Sequence, residues 1–283
     1  MFERGRTSLH ERLAGGECLD AVWLSLGSVA VCEIAARSGT GVVVIDMQHG
    51  LWERTSLEAA IGIASVYAPV MVRVADHSPS AISQALDAGA EGILAPLVET
   101  AEQAAAIAAA ARFPPTGTRS GGGVRPLHNF AAYVREAEQS TVVGAMIETR
   151  PGLEHARAIA GVANIDLVFI GAGDLALSLG EFPNPGSAHE QACASILDAC
   201  KAQDRLCGAF TGSLDAARRM RDKGYRLVVT ATDIDLVRGG FATATRQFAD
   251  DDQPSRSESR RRSEEGERGS KSTSLPIEGH PHA

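Results

Sequence analysis

The 283-residue sequence has no long apolar run, no CxxC cysteine pair and no excess of positive charge. No run approaches the roughly 18 apolar residues of a membrane-spanning helix, and the N-terminal stretch lacks the apolar segment of a signal peptide. The formal net charge of −8 argues against nucleic acid or an anionic membrane as a partner, because both bind basic surfaces. The odd number of cysteines, five, indicates reduced thiols, so we expect a cytoplasmic protein.

Lysine is also scarce. The chain contains only Lys201, Lys223 and Lys271, which fall in predicted helices or in the C-terminal region. A lysine that forms a Schiff base with a carbonyl substrate has to reach into the active site. The sequence therefore disfavours covalent catalysis through lysine.

Short apolar runs alternate with longer helical stretches along the chain, which is typical of a parallel sheet built from βαβ units. Eight such runs are predicted strands: Ala21–Leu26, Gly41–Asp46, Val70–Val74, Gly92–Leu97, Val142–Glu148, Asp166–Gly171, Cys207–Phe210 and Leu227–Thr230. Eight strands joined by βαβ crossovers give either a (β/α)₈ barrel or an open doubly wound sheet. The missing GxGxxG motif, and polar residues that follow several different strands, favour the barrel.

The barrel is predicted to occupy residues 1–250. Residues 251–283 are rich in Ser, Glu, Arg and Gly, and this composition predicts a disordered tail. Ser80, Thr100 and Ser213 are predicted to cap helices at their N-termini. The Pro- and Gly-rich segment Phe113–Gly123 is long enough to be a functional lid or binding loop, and the alternative is a surface insertion.

Two carboxylates follow neighbouring predicted strands. Glu148 ends the fifth strand, and Asp174 follows the sixth in the segment GAGD. Carboxylates that converge on one point repel each other unless a proton or a cation lies between them. A hard cation such as Mg²⁺ or Mn²⁺ suits this arrangement. The alternative is that one of the carboxylates caps the helix that follows it.

His49, Asp46 and Arg73 lie at the ends of the second and third predicted strands. A histidine near a carboxylate can act as a general base, because its pKa lies near neutrality and the acid can fix its tautomer. Arg73 is a buried cation that needs an anionic partner. It can form a structural ion pair with Asp46 or Glu148, or it can bind an anionic substrate.

Seven segments together resemble a family of metal-dependent pyruvate aldolases, which includes 4-hydroxy-2-oxoheptanedioate aldolase and is related to the citrate-lyase β subunit. The segments are WLSLGS, VVVIDMQHG, PVMVRV, DAGAEGILAPLVET, PPTGTRS, MIETRPGLE and GAGDLALSLG, and the likeness runs from Leu13 to Phe248. The family fold is a (β/α)₈ barrel, which agrees with the strand count.

The resemblance implies a role for each strand-end residue. Glu148 and Asp174 match the family's metal ligands, for Mg²⁺ or Mn²⁺ and possibly Co²⁺. His49 matches the catalytic histidine, with Asp46 as its associated acid, and Arg73 matches the arginine that contacts the 2-oxo acid.

The resemblance also implies that the backbone amides of Gly173 and Asp174 bind the substrate carboxylate, and that the chain forms a homo-oligomer, a hexamer. Two positions depart from the best-known members. Gln48 replaces a glutamate before the histidine, so it can orient a water or substrate but cannot take a proton. Met146 replaces a glutamine near the metal ligand.

The sequence thus predicts a metal-dependent aldolase that cleaves a 4-hydroxy-2-oxo acid into pyruvate, or a related 2-oxo acid, and an aldehyde. One alternative is an acyl-CoA lyase of the malyl- or citramalyl-CoA type, which would need cationic contacts for the CoA phosphates. The other is a catalytically silent barrel that acts as a binding module.

Overall fold

A computed structural model describes residues 7–251, in which eight parallel strands close into a barrel in chain order, β1 to β8. The strands are Leu19–Leu24, Val42–Asp46, Val70–Arg73, Gly92–Ala95, Val142–Ile147, Leu167–Ile170, Leu206–Ala209 and Leu227–Thr232. Each predicted strand is present, with bounds that differ by one or two residues. The first strand pairs with the eighth, so the open-sheet alternative is wrong.

Helices fill the connections between the strands. They are α1 Leu9–Ala14, α2 Val29–Arg37, α3 Arg54–Ala64, α4 Pro79–Asp87, α5 Ala101–Ala111, α6 Phe130–Ser140, α7 Arg150–Glu154, α8 Ala156–Ala160, α9 Ala172–Leu179, α10 Ser187–Ala202, α11 Leu214–Lys223 and α12 Asp233–Asp251, with a short 3-10 helix at Pro126–Asn129. No helix in residues 7–251 has both the length and the apolar character needed to cross a membrane.

The capping predictions are correct for two helices and wrong for one. Thr100 and Ser213 accept hydrogen bonds from backbone amides in the first turns of α5 and α11. The cap of α4 is Ser78 rather than Ser80, because Pro79 takes the first helical position. Proline has no amide hydrogen to satisfy there, and its fixed φ suits the start of a helix.

Two hydrophobic clusters form the core, and strand alternation separates them. Successive side chains of a strand point to opposite faces. One set, which includes Ala21, Val44, Met71 and Phe169, fills the barrel interior. The other set, which includes Ile45, packs between the strands and the helices.

The interior changes from apolar to polar toward the carboxyl ends of the strands. At the amino-terminal end, Leu9 and Leu13 of α1 are fully buried in the interior cluster. At the other end, the next inward positions after Val44, Met71 and Met146 are Asp46, Arg73 and Glu148. The packed interior therefore supports a layer of charged groups at one end of the barrel, where active sites of parallel barrels lie.

The segment Phe113–Gly123 packs at the opposite end of the barrel. Buried Arg119 donates a hydrogen bond of 2.7 Å to Asp87, the last residue of α4, and its guanidinium lies 4.5 Å from the centre of the Phe113 ring. The ends of α4 and α5 adjoin the amino-terminal ends of the strands. Within one chain the segment is therefore not a lid over the strand carboxyl ends, and the lid interpretation is wrong.

The chain forms two compact units, one that ends at Asp235 and one that begins at Leu236. The first unit holds the barrel. The second includes the part of α12 from Leu236 to Asp251. The predicted tail lies outside the described residues except for Asp251 itself.

The interior packing predicts the stability of one pair of variants. Phe169 is fully buried and stacks on Trp23 with 6.0 Å between ring centres. Phe169→Ala should lower the free energy of unfolding by about 3–5 kcal/mol, measured by urea denaturation, because it leaves a cavity in the barrel. Ile34→Ala, at a position that is 70% exposed on α2, should change it by less than about 0.5 kcal/mol. Equal losses in the two variants would contradict this packing.

Candidate active site

A cavity of about 390 Å³ opens at the carboxyl ends of the strands. It is lined by Trp23, Ser25, Asp46, His49, Arg73, Met146, Glu148, Gly171, Ala172, Gly173, Asp174, Phe210, Thr232, Ile234 and Asp235. Every predicted site residue except Gln48 is in this lining. The barrel thus brings together side chains from positions far apart in the sequence.

Asp46 and Arg73 form a buried ion pair at the edge of the cavity. They are register partners on β2 and β3, so their side chains leave neighbouring strands at the same level. Arg73 donates from Nε to Asp46 Oδ1 at 2.8 Å and from Nη2 to Asp46 Oδ2 at 2.6 Å. The two-pronged contact fixes the plane of the guanidinium.

Trp23 supports this ion pair from below. Its ring centre lies 4.9 Å from Arg73 Cζ, and its indole donates a hydrogen bond of 3.3 Å to Asp46. Burial alone would raise the pKa of Asp46, but the hydrogen bonds and charge of Arg73, with smaller contributions from the His49 amide and the indole, bring that pKa below its ordinary value. Asp46 is therefore ionised at neutral pH. Among the described residues, none accepts a hydrogen bond from Arg73 Nη1.

His49 reaches the cavity from the turn after β2. Its backbone amide donates to Asp46 Oδ1 at 3.2 Å, whereas its exposed ring makes no hydrogen bond to a described residue. The predicted contact between the Asp46 carboxylate and the ring is therefore not present. Arg73 and backbone amides occupy the carboxylate, so Asp46 positions the arginine and the turn instead of fixing the histidine tautomer.

Gln48 lies in the same turn but does not line the cavity. Its amide donates to Asp46 Oδ1 at 3.0 Å, and its side-chain Oε1 is buried without a hydrogen-bond partner. This placement gives no support to the predicted substrate contact of Gln48.

Glu148 is 1% exposed, and its two carboxylate oxygens differ in their surroundings. Oε1 accepts a hydrogen bond of 2.6 Å from the amide of Leu97, while Oε2 is buried and has no partner. Burial raises the pKa of Glu148, and the negative charge of Asp174 raises it further, against the lowering effect of the Leu97 amide. The surroundings of Glu148 thus disfavour its ionised carboxylate when no cation lies beside it.

Asp174 lies in the first turn of α9, and its exposed carboxylate makes no hydrogen bond to a described residue. The N-cap of α9 is Gly171, without a side-chain cap, and the N-cap of α7 is Thr149. Neither Asp174 nor Glu148 caps a helix, so the capping alternative is wrong for both.

This donor set fits a hard divalent cation. Glu148 Oε2 is a buried anionic oxygen that lacks a donor, and Asp174 adds a second carboxylate to the same cavity. In the part of the chain that the structure describes, no cluster of three or more His, Cys, Asp or Glu side chains is arranged for a metal. Two carboxylates with water and substrate oxygens as further ligands is the arrangement that Mg²⁺ commonly adopts.

Two backbone features of the site lie in the segments DAGAEGILAPLVET and GAGDLALSLG but were not predicted as site features. The amide of Leu97 comes from the turn after β4, and Leu97 adopts a left-handed conformation with φ of 53°. Gly171 follows β6 and lies against the Glu148 side chain. Their position at strand ends, within these two segments, is the signal that sequence reasoning could have used.

Comparisons with known proteins agree with this geometry. Residues 20–239 match the family model described as HpcH/HpaI aldolase/citrate lyase. A 4-hydroxy-2-oxovalerate aldolase from Rhodococcus jostii (strain RHA1) is 34% identical over 249 residues, 86% of this chain and 96% of the relative. A hydroxypyruvate/pyruvate aldolase from Rhizorhabdus wittichii (strain DSM 6014 / CCUG 31198 / JCM 15750 / NBRC 105917 / EY 4224 / RW1) is 37% identical over 222 residues, 77% of this chain and 88% of the relative.

A crystal structure of an HpcH/HpaI aldolase/citrate lyase family protein from Burkholderia cenocepacia J2315 superimposes with a TM-score of 0.80 at 32% identity, covering 85% of this chain and 98% of that one. The family predicted from the sequence motifs is therefore confirmed. The chain belongs to the HpcH/HpaI aldolase/citrate lyase family.

Proposed function

We propose that the protein is a metal-dependent aldolase built on a (β/α)₈ barrel, which reversibly cleaves a 4-hydroxy-2-oxo acid into pyruvate, or a related 2-oxo acid, and an aldehyde. The observation that carries the proposal is the unpartnered buried oxygen of Glu148, in one cavity with Asp174 and the Arg73 guanidinium. The names of the relatives, 4-hydroxy-2-oxovalerate aldolase and hydroxypyruvate/pyruvate aldolase, support a 2-oxo acid as substrate.

Glu148 and Asp174 would hold the cation, for which we propose Mg²⁺ or Mn²⁺, with Co²⁺ as a further candidate. When bound, such a cation supplies Lewis-acid stabilisation for negative charge that develops on substrate oxygen. Asp46 is not a candidate ligand for the cation, because Arg73 already balances the charge of Asp46. The carboxylates with charge left for a cation are therefore Glu148 and Asp174.

Arg73 acts on the oxygen that becomes negative during cleavage. Breaking the bond between C3 and C4 leaves its electrons on the 2-oxo acid fragment, as an enolate. With Nε and Nη2 held by Asp46, Arg73 presents Nη1 as a fixed donor to the enolate oxygen. A donor that is already in place costs little reorganisation as the charge develops, which favours the transition state.

His49 moves the proton. Cleavage requires removal of the proton from the 4-hydroxyl group, and the imidazole of His49 lies in the cavity lining, where it would act as the general base. Because its ring is exposed, we propose that it acts through a water molecule. The backbone amides of Gly173 and Asp174, in the first turn of α9, would bind the substrate carboxylate at the positive end of the helix dipole.

The acyl-CoA lyase alternative lacks a cationic surface in this cavity. Arg73 is the only Lys or Arg among the described lining residues, and Asp46 already binds it. The lining therefore offers the CoA phosphates no lysine, and its one arginine is already paired with a carboxylate. The silent-barrel alternative does not account for a buried carboxylate oxygen without a donor.

The predicted homo-oligomer, a hexamer by resemblance, and the predicted cytoplasmic location belong to this proposal. Light scattering coupled to size-exclusion chromatography would measure the oligomeric state directly. A monomer at micromolar concentration would rule out the proposed assembly.

Removing either proposed metal ligand should remove most of the activity. With 4-hydroxy-2-oxovalerate as substrate and added Mg²⁺, Glu148→Gln and Asp174→Asn should each lower the rate of pyruvate release by at least about 100-fold, since a Lewis acid contributes several kcal/mol. EDTA should have a similar effect on the wild type. Asp222→Asn, on the far end of α11 with a side chain 69% exposed, is the matched control and should retain wild-type activity. Full activity of either ligand variant in EDTA would disprove the proposed site.

The arginine should not be replaceable by lysine. Arg73→Lys should lower the rate at which pyruvate exchanges its methyl protons with D₂O, followed by NMR, by about 100- to 1000-fold, the usual effect of losing a fixed donor to an enolate-type oxygen. The lysine keeps the charge but cannot both bind Asp46 in two places and contact substrate. Arg218→Lys, whose side chain is 59% exposed, should exchange at the wild-type rate. Equal exchange in both variants would refute the role of Arg73.

A further inference from the structure

Gly171 lies directly against the carboxylate of Glu148. A Cβ atom added at Gly171 would overlap Glu148 Oε2 and would lie only 2.9 Å from Glu148 Cβ and 3.2 Å from Glu148 Cδ. Real Cβ atoms essentially never approach a neighbour as closely as the Oε2 and Cβ separations, and the separation from Cδ is tighter than most real contacts. The oxygen most affected is Oε2, the buried oxygen without a partner.

Backbone conformation does not require glycine at this position. Gly171 has φ of −80° and ψ of 82°, and a negative φ is accessible to residues with a side chain. The need for glycine is therefore a matter of space beside Glu148. An alanine here would be disfavoured by its overlap with Glu148 and not by backbone strain.

The backbone cannot move apart to admit a side chain without loss of strand pairing. The amide of Gly171 donates to the Ile147 carbonyl at 3.2 Å, which continues the β5–β6 ladder to the residue before Glu148. Ile147 and Ile170 are register partners on the same two strands. An added methyl group would therefore displace the Glu148 carboxylate first, and its contact with Glu148 Cβ would also strain the adjoining strand ends.

The other carboxylate oxygen is held by a second backbone group. Leu97 donates its amide to Glu148 Oε1 at 2.6 Å while it adopts a φ of 53°. A residue with a side chain costs on the order of 1 kcal/mol in that region and persists where its surroundings fix it. Glu148 Oε1 thus accepts a hydrogen bond from an amide, and Glu148 Oε2 lies against Gly171, which has no side chain.

We propose that Gly171 is a positioning residue, which keeps the free oxygen of Glu148 where it binds the catalytic cation. The inference rests on the proposed cation site and adds a determinant that the two carboxylates alone do not provide. Leu97 sets the carboxylate plane from one side, and the bare Cα of Gly171 leaves room for the other oxygen. A side chain at position 171 would turn Oε2 away and break the bond from Leu97.

The test is the affinity of the purified full-length protein for Mn²⁺, measured by isothermal titration calorimetry without substrate. Gly171→Ala should bind Mn²⁺ about 10- to 100-fold more weakly than the wild type, as is usual when the support of a metal ligand is lost. Gly212→Ala is the matched control, because a Cβ at Gly212 meets no atom within 4 Å, and it should bind as the wild type does.

Thermal unfolding without metal separates positioning from general stability. A purely structural effect of Gly171→Ala would lower the melting temperature and leave the Mn²⁺ affinity of the folded protein unchanged. That result, or an affinity within twofold of the wild type, would overturn the proposal.

A second variant covers the case in which Gly171→Ala does not fold. Glu148→Asp keeps the charge but withdraws the carboxylate from both Leu97 and Gly171, so it should also weaken Mn²⁺ binding at least about tenfold. Wild-type affinity of Glu148→Asp would show that the position of the oxygen is unimportant and would overturn the role of Gly171. Wild-type affinity of Glu148→Gln, by contrast, would show that the cation site itself is wrong.

Discussion

A carboxylate that is buried with only one of its oxygens bonded is unstable unless a proton or a cation compensates it, and Glu148 is in that situation at the end of β5. Much of the site is arranged around this group. The Leu97 turn supplies its one donor, Gly171 gives it room, and Asp174 adds charge of the same sign. A surrounding that disfavours the free anion and keeps one oxygen unbonded is suited to a divalent cation.

The same cavity contains a second carboxylate in the opposite electrostatic state. Asp46 accepts hydrogen bonds from Arg73, from Trp23 and from the turn that carries His49, and its pKa is lowered by these contacts. Removing one partner of such a buried pair typically costs about 3–5 kcal/mol, because it leaves the other charge uncompensated. Asp46 therefore already has its partner in Arg73, whereas Glu148 Oε2 has none among the described residues.

The sequence predicted the barrel strands and the family because those depend on local patterns. Apolar runs mark the strands, and the motifs around His49, Arg73, Glu148 and Asp174 mark the family; the aldolase class is confirmed by the relatives. The roles of these residues stay predictions. What the sequence could not predict depends on contacts between distant segments. The amide of Leu97 reaches Glu148 across 51 positions. The ion pair of Arg73 with Asp46 was one of the two predicted for that arginine, but the sequence did not show that Asp46 would leave the His49 ring without a contact.

Two other sequence predictions, the N-cap of α4 and the lid, were wrong for different reasons. Ser80 and Ser78 both precede a helical pattern, and Pro79 decides between them by taking the first helical position. The lid interpretation of Phe113–Gly123 used composition alone, which does not report at which end of the barrel a loop lies. The Arg119–Asp87 contact places it at the amino-terminal end.

The proposed cation site at Glu148 and Asp174 has a direct test in oxalate, a planar dianion that resembles the enolate of pyruvate. In isothermal titration calorimetry on the wild-type protein, oxalate should bind when Mn²⁺ is present and should not bind when EDTA replaces the metal. Equal oxalate affinity in the two buffers would contradict the proposed site, because Arg73 and the amides of α9 would then suffice to bind the substrate.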